Sequence, residues 1–294
     1  MKTAHCFNGS APQRRGMALV AVLWIVAALS VMALALAGTA RVQLRAGIVQ
    51  RDAASGVAAG QAAVALALQE MLAQTERPRG QVLEAQIQWQ DTPVQVHIAP
   101  LSGLLGLARI RAETLTALLQ AAAGLPADAA EALAQAAIDW REGADIVLQE
   151  GQRRIRRRFE AVEDLMLVPG MDYAIYSRIA PLLTVEVSGA TVDPRTAPPE
   201  VLYALAPGQQ ARVAAYLAQR SQPGADASFF DPALVGERGG TGNLYRLHVH
   251  VPLGEGTILR LVSDVALRTD SARRLPWVVL RESWQIAAAT TPPG

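Results

Sequence analysis

Hydrophobic and polar positions change rhythm four times along this chain. Between Met17 and Ala40 no charge interrupts an apolar run, and up to Ala37 only Ser30 is clearly polar. A bilayer core needs ~20 apolar residues in a helix, and a buried helix of a soluble protein normally keeps a polar stripe that is missing here. The pattern predicts a transmembrane segment over residues 17–40. The rhythm then becomes helical and amphipathic. Val57, Val64, Leu68 and Met71 recur at intervals of seven, four and three, while Arg41, Arg45, Arg51, Asp52 and Gln61 fall off that stripe. Such a stripe is expected to lie on a sheet of the chain's own domain. Gly56 and Gly60 weaken this helix by about 1 kcal/mol each relative to alanine, and Pro78 and Gly80 end it.

A period of two follows. Leu83, Ala85, Ile87 and Trp89 alternate with Glu84, Gln86, Gln88 and Gln90; Asp91-Thr92-Pro93 reads as the turn, and Val94, Val96 and Ile98 resume the alternation. From Arg111 to Arg220 the chain reads as short helices. Gly124-Leu125-Pro126 separates the first two, and Asp128 with Glu131 reads as an N-terminal cap. Alternation returns late, with Tyr245, Leu247, Val249 and Val251 inward and Arg246, His248 and His250 outward. Leu259, Leu261, Val265 and Leu267 come next, Trp277-Val278-Val279-Leu280 forms a last strand, and Thr290–Gly294 a loose tail. Strands on both sides of a helical block predict one sheet interrupted by an insertion. The fold class is α+β: a long N-terminal transmembrane and amphipathic helix on an antiparallel sheet, with a large all-α insertion.

The insertion contains an echo. Ala161–Met171 and Ala197–Gly208 each read as a helix, a Pro-Gly turn, then a second helix. The unit resembles a helix-hairpin-helix, and Arg153-Arg154-Ile155-Arg156-Arg157-Arg158 nearby invites a nucleic-acid reading. Two details oppose it. Hairpins that hold phosphate commonly use a Gly-x-Gly turn, and neither Gly170-Met171-Asp172 nor Gly208-Gln209-Gln210 has the second glycine. Asp172 also puts a negative charge where the anion would sit. No nucleic acid is expected, and the alternative of a membrane-tethered DNA-binding protein of a DNA-uptake system ranks second.

Charge and cysteine content narrow the classes further. Without Lys2, Arg14 and Arg15 the 27 basic residues become 24 against 26 acidic, which gives no attraction for polyanions. The single cysteine, Cys6, precedes the apolar run, so no disulfide staples the body. No G-x-S-x-G elbow appears, and Gly236–Gly242 lacks the Lys-Ser/Thr of a phosphate loop. His97, His248 and His250 do not form a ligand set with any cysteine, so zinc is not expected. Asp139, Glu142, Asp145 and Glu150 are the one acidic cluster, and calcium takes six to eight oxygens. An ordinary acidic helix end is favoured there. The chain is expected to be no enzyme and to need no cofactor, with calcium at that cluster as the minority reading.

Lys2, Arg14 and Arg15 precede the apolar run with no acid among them, which places the N-terminus in the cytoplasm. A cleaved secretory signal, a plain anchor and a prepilin-type leader all begin this way, and the third is favoured. Arg14-Arg15-Gly16 followed by Met17-Ala18-Leu19-Val20 resembles the leader junction of type IV prepilins and type II secretion pseudopilins. The resemblance implies that prepilin peptidase cuts between Gly16 and Met17 and that Met17 is N-methylated. Most such subunits carry Glu at the fifth mature position, which here is Ala21. The K-type minor pseudopilins lack that Glu. Ala137-Ile138-Asp139-Trp140-Arg141-Glu142, the stretch from Phe159 to Val185, and Thr196-Ala197 with Val201-Leu202 are similar to segments of the same family. Val192-Asp193-Pro194-Arg195 lacks the family's asparagines, and Gly151-Gln152 stands where calcium-binding members carry an acidic segment.

The resemblance implies a leader at 1–16, a transmembrane segment at 17–40, a pilin-like helix and first strands at 41–110, an inserted helical domain at 111–221, and remaining strands at 222–294. It implies a single-pass protein of a Gram-negative inner membrane with a periplasmic body. Such a subunit caps the pseudopilus tip and helps start its assembly for export of folded proteins. Its implied partners are the I-type and J-type minor pseudopilins and, through them, the H-type and the major pseudopilin. Ala21 would mark the partner interface.

Overall fold

Nothing between Arg15 and Ala73 breaks a helix by proline, and these 59 residues form one element, α1. The computed structural model describes residues 15–73, 81–143, 158–187, 189, 191–222, 224–236, 243–254, 256–268 and 275–289. The chain divides into two units, one through Ser55 and one from Gly56. In the first, Leu19–Ala33 is an apolar helix whose every residue is exposed. Its one clear polar group is satisfied locally, because Ser30 Oγ donates to the Val26 carbonyl at 2.8 Å. The stretch Val49–Ala73 is the one long enough by length and apolarity to cross a bilayer among the described residues, yet 44% of its apolar window is buried. That burial marks its later part as a helix lying on protein.

The second unit explains that burial. Ala59, Ala63, Val64, Ala67, Leu68 and Met71 share one core with Ile87, Val94, Val96, Ile98, Leu247, Val249, Val251, Leu259 and Leu261. Val64, Leu68 and Met71 are the predicted stripe, and the alanines between them let the backbone come close. Gly56 and Gly60 go further. A Cβ on Gly56 would lie 2.6 Å from Leu253 Cδ2, and one on Gly60 3.2 Å from Leu261 Cδ1, so both glycines are points of contact with the sheet.

The sheet has five antiparallel strands: β1 (Leu83–Trp89), β2 (Thr92–Pro100), β5 (Leu244–Gly254), β6 (Thr257–Ala266) and β7 (Val278–Ala288), in the order β1-β2-β5-β6-β7. Pro100 pairs with Tyr245, so residues 101–243 leave and re-enter the sheet at neighbouring strand ends. Two expectations shift here. The first turn is Gln90-Asp91, with Gln90 at φ 53, and Pro93 already pairs with Gln88 at the start of β2, where a missing N–H is tolerated. Trp277 precedes β7, which instead extends through the polar residues up to Ala288.

Between the strands lie α2 (Ala112–Ala123), α3 (Ala127–Glu142), α4 (Tyr173–Ile179), α5 (Pro199–Leu205) and α6 (Gln210–Gln219). Gly124 ends α2 at φ 69 as a left-handed cap. Asp128 is not the cap of α3: Pro126 holds that position and Asp128 sits in the first turn, where its charge still meets the positive end of the helix. These helices enclose their own core, with Leu107, Leu115, Leu118, Leu119, Leu165, Ile179, Leu183 and Leu202 fully or almost fully buried. The periodicity did not show the two-residue parallel pair β3 (Leu105–Gly106) and β4 (Leu183–Thr184), which ties the start of this region to the chain just after α4.

The two Pro-Gly segments both turn through a left-handed glycine, Gly170 at φ 88 and Gly208 at φ 79. Their legs differ. The first begins with a 3-10 turn, Val162–Leu167, and the second with an α-helix, α5.

Candidate functional site

The sequence points to the N-terminus first. Ala21 is exposed on α1, so an uncharged methyl faces outward at that position. Gly16 and Met17 lie in the opening residues of α1, and residues 1–14, including Cys6, fall outside the described residues.

The acidic helix end is built for structure. Asp139 accepts a 2.8 Å hydrogen bond from Gln135 Nε2, and Trp140 stacks on Phe159 with ring centroids 4.7 Å apart. Arg141 turns back and donates from Nη1 to the carbonyls of Ile110 at 2.8 Å and Leu107 at 3.3 Å. Arg141 thus fastens the end of α3 to the chain preceding α2, and Trp140 holds it to Phe159. Glu142, with Arg109, Arg111, Arg141 and Arg158, lines a cleft of about 850 Å³. Asp145 and Glu150 of the calcium reading, and Arg153–Arg157 of the arginine run, lie outside the described residues, as do 237–242 of the glycine-rich loop. Among the described residues no three His, Cys, Asp or Glu come together as a metal-holding group.

The strongest polar constellation is one that alternation misread. Arg246 was expected outward and is 3% exposed, because residues 181–183 of the helical region sit on the outer face of the sheet at that point. Its guanidinium makes a two-pronged contact with Asp264 on β6, Nε to Oδ1 at 2.7 Å and Nη2 to Oδ2 at 2.8 Å. The remaining protons reach the helical region, Nη1 to the Pro181 carbonyl at 2.9 Å and Nη2 to the Leu183 carbonyl at 3.3 Å. One arginine therefore joins two strands to the segment that pairs as β4. Arg281, on β7 opposite Asp264, adds a contact to Glu163 of the first Pro-Gly unit. The available signal was the pairing of Arg246 with Asp264 eighteen residues later across a Gly-x-Gly turn.

Beside this clamp the same face carries the histidines. His97 pairs with His248, and the rings of His97 and His250 are 5.9 Å apart. Burial, then the Arg246 charge, lowers His248 to about 4, so it is a neutral side chain at ordinary pH. His250 is lowered as well, by burial and then by His97 and Arg260. His97 keeps an outward partner in Glu84 at 3.4 Å.

At the hairpins, Asp172 does what its position foretold. Its Oδ1 accepts from the Ile175 amide at 2.7 Å, capping α4 with the charge an anion would otherwise bring. Asp193, in the segment between β4 and α5, is 2% exposed and accepts from the Arg195 amide at 3.0 Å, while Arg220 Nη1 donates to the Ala197 carbonyl at 2.8 Å.

Comparison with known proteins meets this geometry at two levels. Residues 106–187, from β3 through the first Pro-Gly unit to just past β4, match the family model described as type II secretion system (T2SS), protein K. A solved chain in the crystal structure of the GspK-GspI-GspJ complex from the enterotoxigenic Escherichia coli type 2 secretion system is similar in fold. It has a TM-score of 0.53 and 17% sequence identity, over 80% of this chain and 98% of that one. No curated protein gives a significant match. The apolar N-terminal helix is consistent with anchoring in the inner membrane. Residues 106–187 are thus similar to type II secretion system protein K, and the fold of most of the chain is similar to that of a solved chain in the GspK-GspI-GspJ complex.

Proposed function

We propose that this chain is a non-enzymatic minor pseudopilin of a type II secretion system, placed at the tip of the pseudopilus, where it helps start assembly. The observation that carries the reading is the match of residues 106–187 to protein K. In this reading prepilin peptidase cuts between Gly16 and Met17, Met17 is methylated, and residues 17–40 hold the chain in the inner membrane with the body in the periplasm. Residues 41–110 and 222–294 together make the pilin-like domain, and 111–221 are its inserted helical domain with two hairpin-like units. The absence of a carboxylate at Ala21 supports a terminal place: a subunit with no neighbour above it has no terminal amine to offset within lipid, where a lone charge is costly.

The partners in this reading are the I-type and J-type minor pseudopilins and, through them, the H-type and major pseudopilins. Asp172 supports this over a DNA receptor, since the helix end that would take phosphate is already filled. No cofactor is needed, and the minority calcium reading at Asp139, Glu142, Asp145 and Glu150 is tested by calorimetry: an unchanged midpoint on adding calcium removes it. The decisive experiment is co-expression of the full chain with the I-type and J-type subunits of its own system, followed by co-purification. A ternary complex is expected. Its absence, or an intact mass that still includes residues 1–16, overturns the proposal.

A further inference from the structure

The basic side chains of this chain are not spread evenly. Over the whole sequence 27 lysines and arginines stand against 26 acids. Yet the cleft of about 850 Å³ between β3, the start of α2 and the end of α3 is lined by Arg109, Arg111, Arg141 and Arg158, with Glu142 the one acid among its described lining residues. Two of the four arginines have partners. Arg141 donates from Nη1 to the Leu107 and Ile110 carbonyls and keeps Nη2 3.8 Å from Glu142. Arg111 has an exposed pair with Asp231 at 3.7 Å, which holds it weakly. Arg109 and Arg158 are exposed and make no side-chain hydrogen bond or ion pair with any described residue.

The same cleft meets the N-terminal end of α2. Ile110, Arg111 and Thr114 line it, and this helix of 12 residues has no side-chain cap at Arg111. The first amides of a helix have no partner within it and carry partial positive charge. Elsewhere the chain fills such an end itself, as Asp172 does at α4. Glu113, in the first turn of α2, is exposed and is not among the residues lining the cleft. Thr114 is a second and separate sign. It is only 6% exposed, and the usual acceptor for a helical threonine, the carbonyl one turn back, here belongs to Ile110 and takes Arg141. The Thr114 hydroxyl makes no hydrogen bond with any described residue, so the cleft is where its proton finds an acceptor.

Guanidinium groups without partners, open helix amides and a buried hydroxyl donor are together complementary to oxyanions. Two features select the class of ligand. The cleft has room for far more than a lone ion, and Leu105, Leu205 and Leu234 lie among its arginines, which suits apolar side chains between the charges. Glu142 inside the cleft opposes a densely charged phosphate chain, whereas a peptide can place its carboxylates clear of that acid. We propose that this cleft binds an acidic polypeptide segment, whose carboxylates meet Arg109, Arg158 and the start of α2 while its apolar side chains lie against the leucines. The inference needs no assignment of the subunits with which the chain assembles.

The test uses the full chain in detergent micelles and a fluorescent peptide of alternating aspartate and leucine, with the asparagine–leucine peptide as its uncharged counterpart. Saturable binding of the acidic peptide alone, weakening as salt is raised, is expected. Arg109→Glu with Arg158→Glu is expected to raise Kd about tenfold or more with an unchanged unfolding midpoint, and Thr114→Val to raise it less. Arg51→Glu with Arg268→Glu makes the same change of charge at exposed positions outside the cleft lining and is expected to leave Kd where it was. Equal binding of the two peptides, equal loss in the two double variants, or no binding by the unaltered chain overturns the proposal. So does tighter binding of inorganic phosphate or of a short DNA strand than of the acidic peptide, which would make the cleft a phosphate site.

Discussion

Arg246 is where the chemistry of a single side chain decides how two parts of the protein meet. A guanidinium held by Asp264 and by the Pro181 and Leu183 carbonyls is stable where it is, but each partner depends on the others. Breaking a buried pair by removing one member costs about 3–5 kcal/mol, since the survivor is left as an uncompensated buried charge. Asp264→Asn is therefore expected to lower the urea midpoint steeply and to expose residues 101–243 to protease. Changing both members, Arg246→Met with Asp264→Leu, is expected to recover part of the loss. Full recovery is not expected, because the carbonyls of Pro181 and Leu183 lose their donor.

His248, next along the strand, sets a pH dependence. Its folded pKa is about 4 against 6.5 for the free side chain, so between those values the unfolded chain binds a proton that the folded one refuses. Stability is complete above pH 6.5 and falls as pH drops toward 4, by about 3 kcal/mol over the window. The groups facing it are Arg246 and His250 on its own strand, His97 on β2 and Asp264 on β6. Measured side by side between pH 4 and 7, His248→Gln is expected to show a shallower fall in unfolding free energy than the unaltered chain. Parallel curves would show that the loss comes from other groups.

At the scale of elements, alternation and helical spacing located most of what was built. Leu83 to Ile98 and Tyr245 to Val251 fold as the hairpin strands they spell, because one face of each is covered by α1 and a one-residue slip would expose it. Alternation failed where a strand is covered on both faces. Arg246 reads as outward by parity, and only the tertiary placement of residues 181–183 makes its side inward. The length of β7 was hidden for the opposite reason: much of its surface is open, so polar residues are tolerated there. Proximity between backbones was also beyond the pattern. Gly103 reads as a loop glycine, yet a Cβ there would lie 2.5 Å from the Thr196 carbonyl oxygen and 2.8 Å from the Ala197 nitrogen. Backbone cannot rotate away as a side chain can. Gly103→Ala is expected to cost about 1–3 kcal/mol or more. Gly60→Ala meets only the end of Leu261 at 3.2 Å, and the gain in helix propensity, about 1 kcal/mol, offsets that contact. Urea denaturation of the two variants should separate them clearly, with Gly60→Ala close to the unaltered chain.

The whole molecule is a sheet domain whose chain detours through a second core between two adjacent strands. No residue of the core under α1 comes from 101–243, and the helical core draws none from the sheet. Because Pro100 and Tyr245 are direct partners, replacing residues 101–243 by a four-residue turn joins β2 to β5 as an ordinary hairpin. Arg246 and Asp264 would then form an exposed pair, which contributes little and costs little. The shortened chain is expected to unfold cooperatively and to keep its helix-on-sheet packing. Loss of cooperativity would show that the sheet depends energetically on the helical region through the Arg246 clamp.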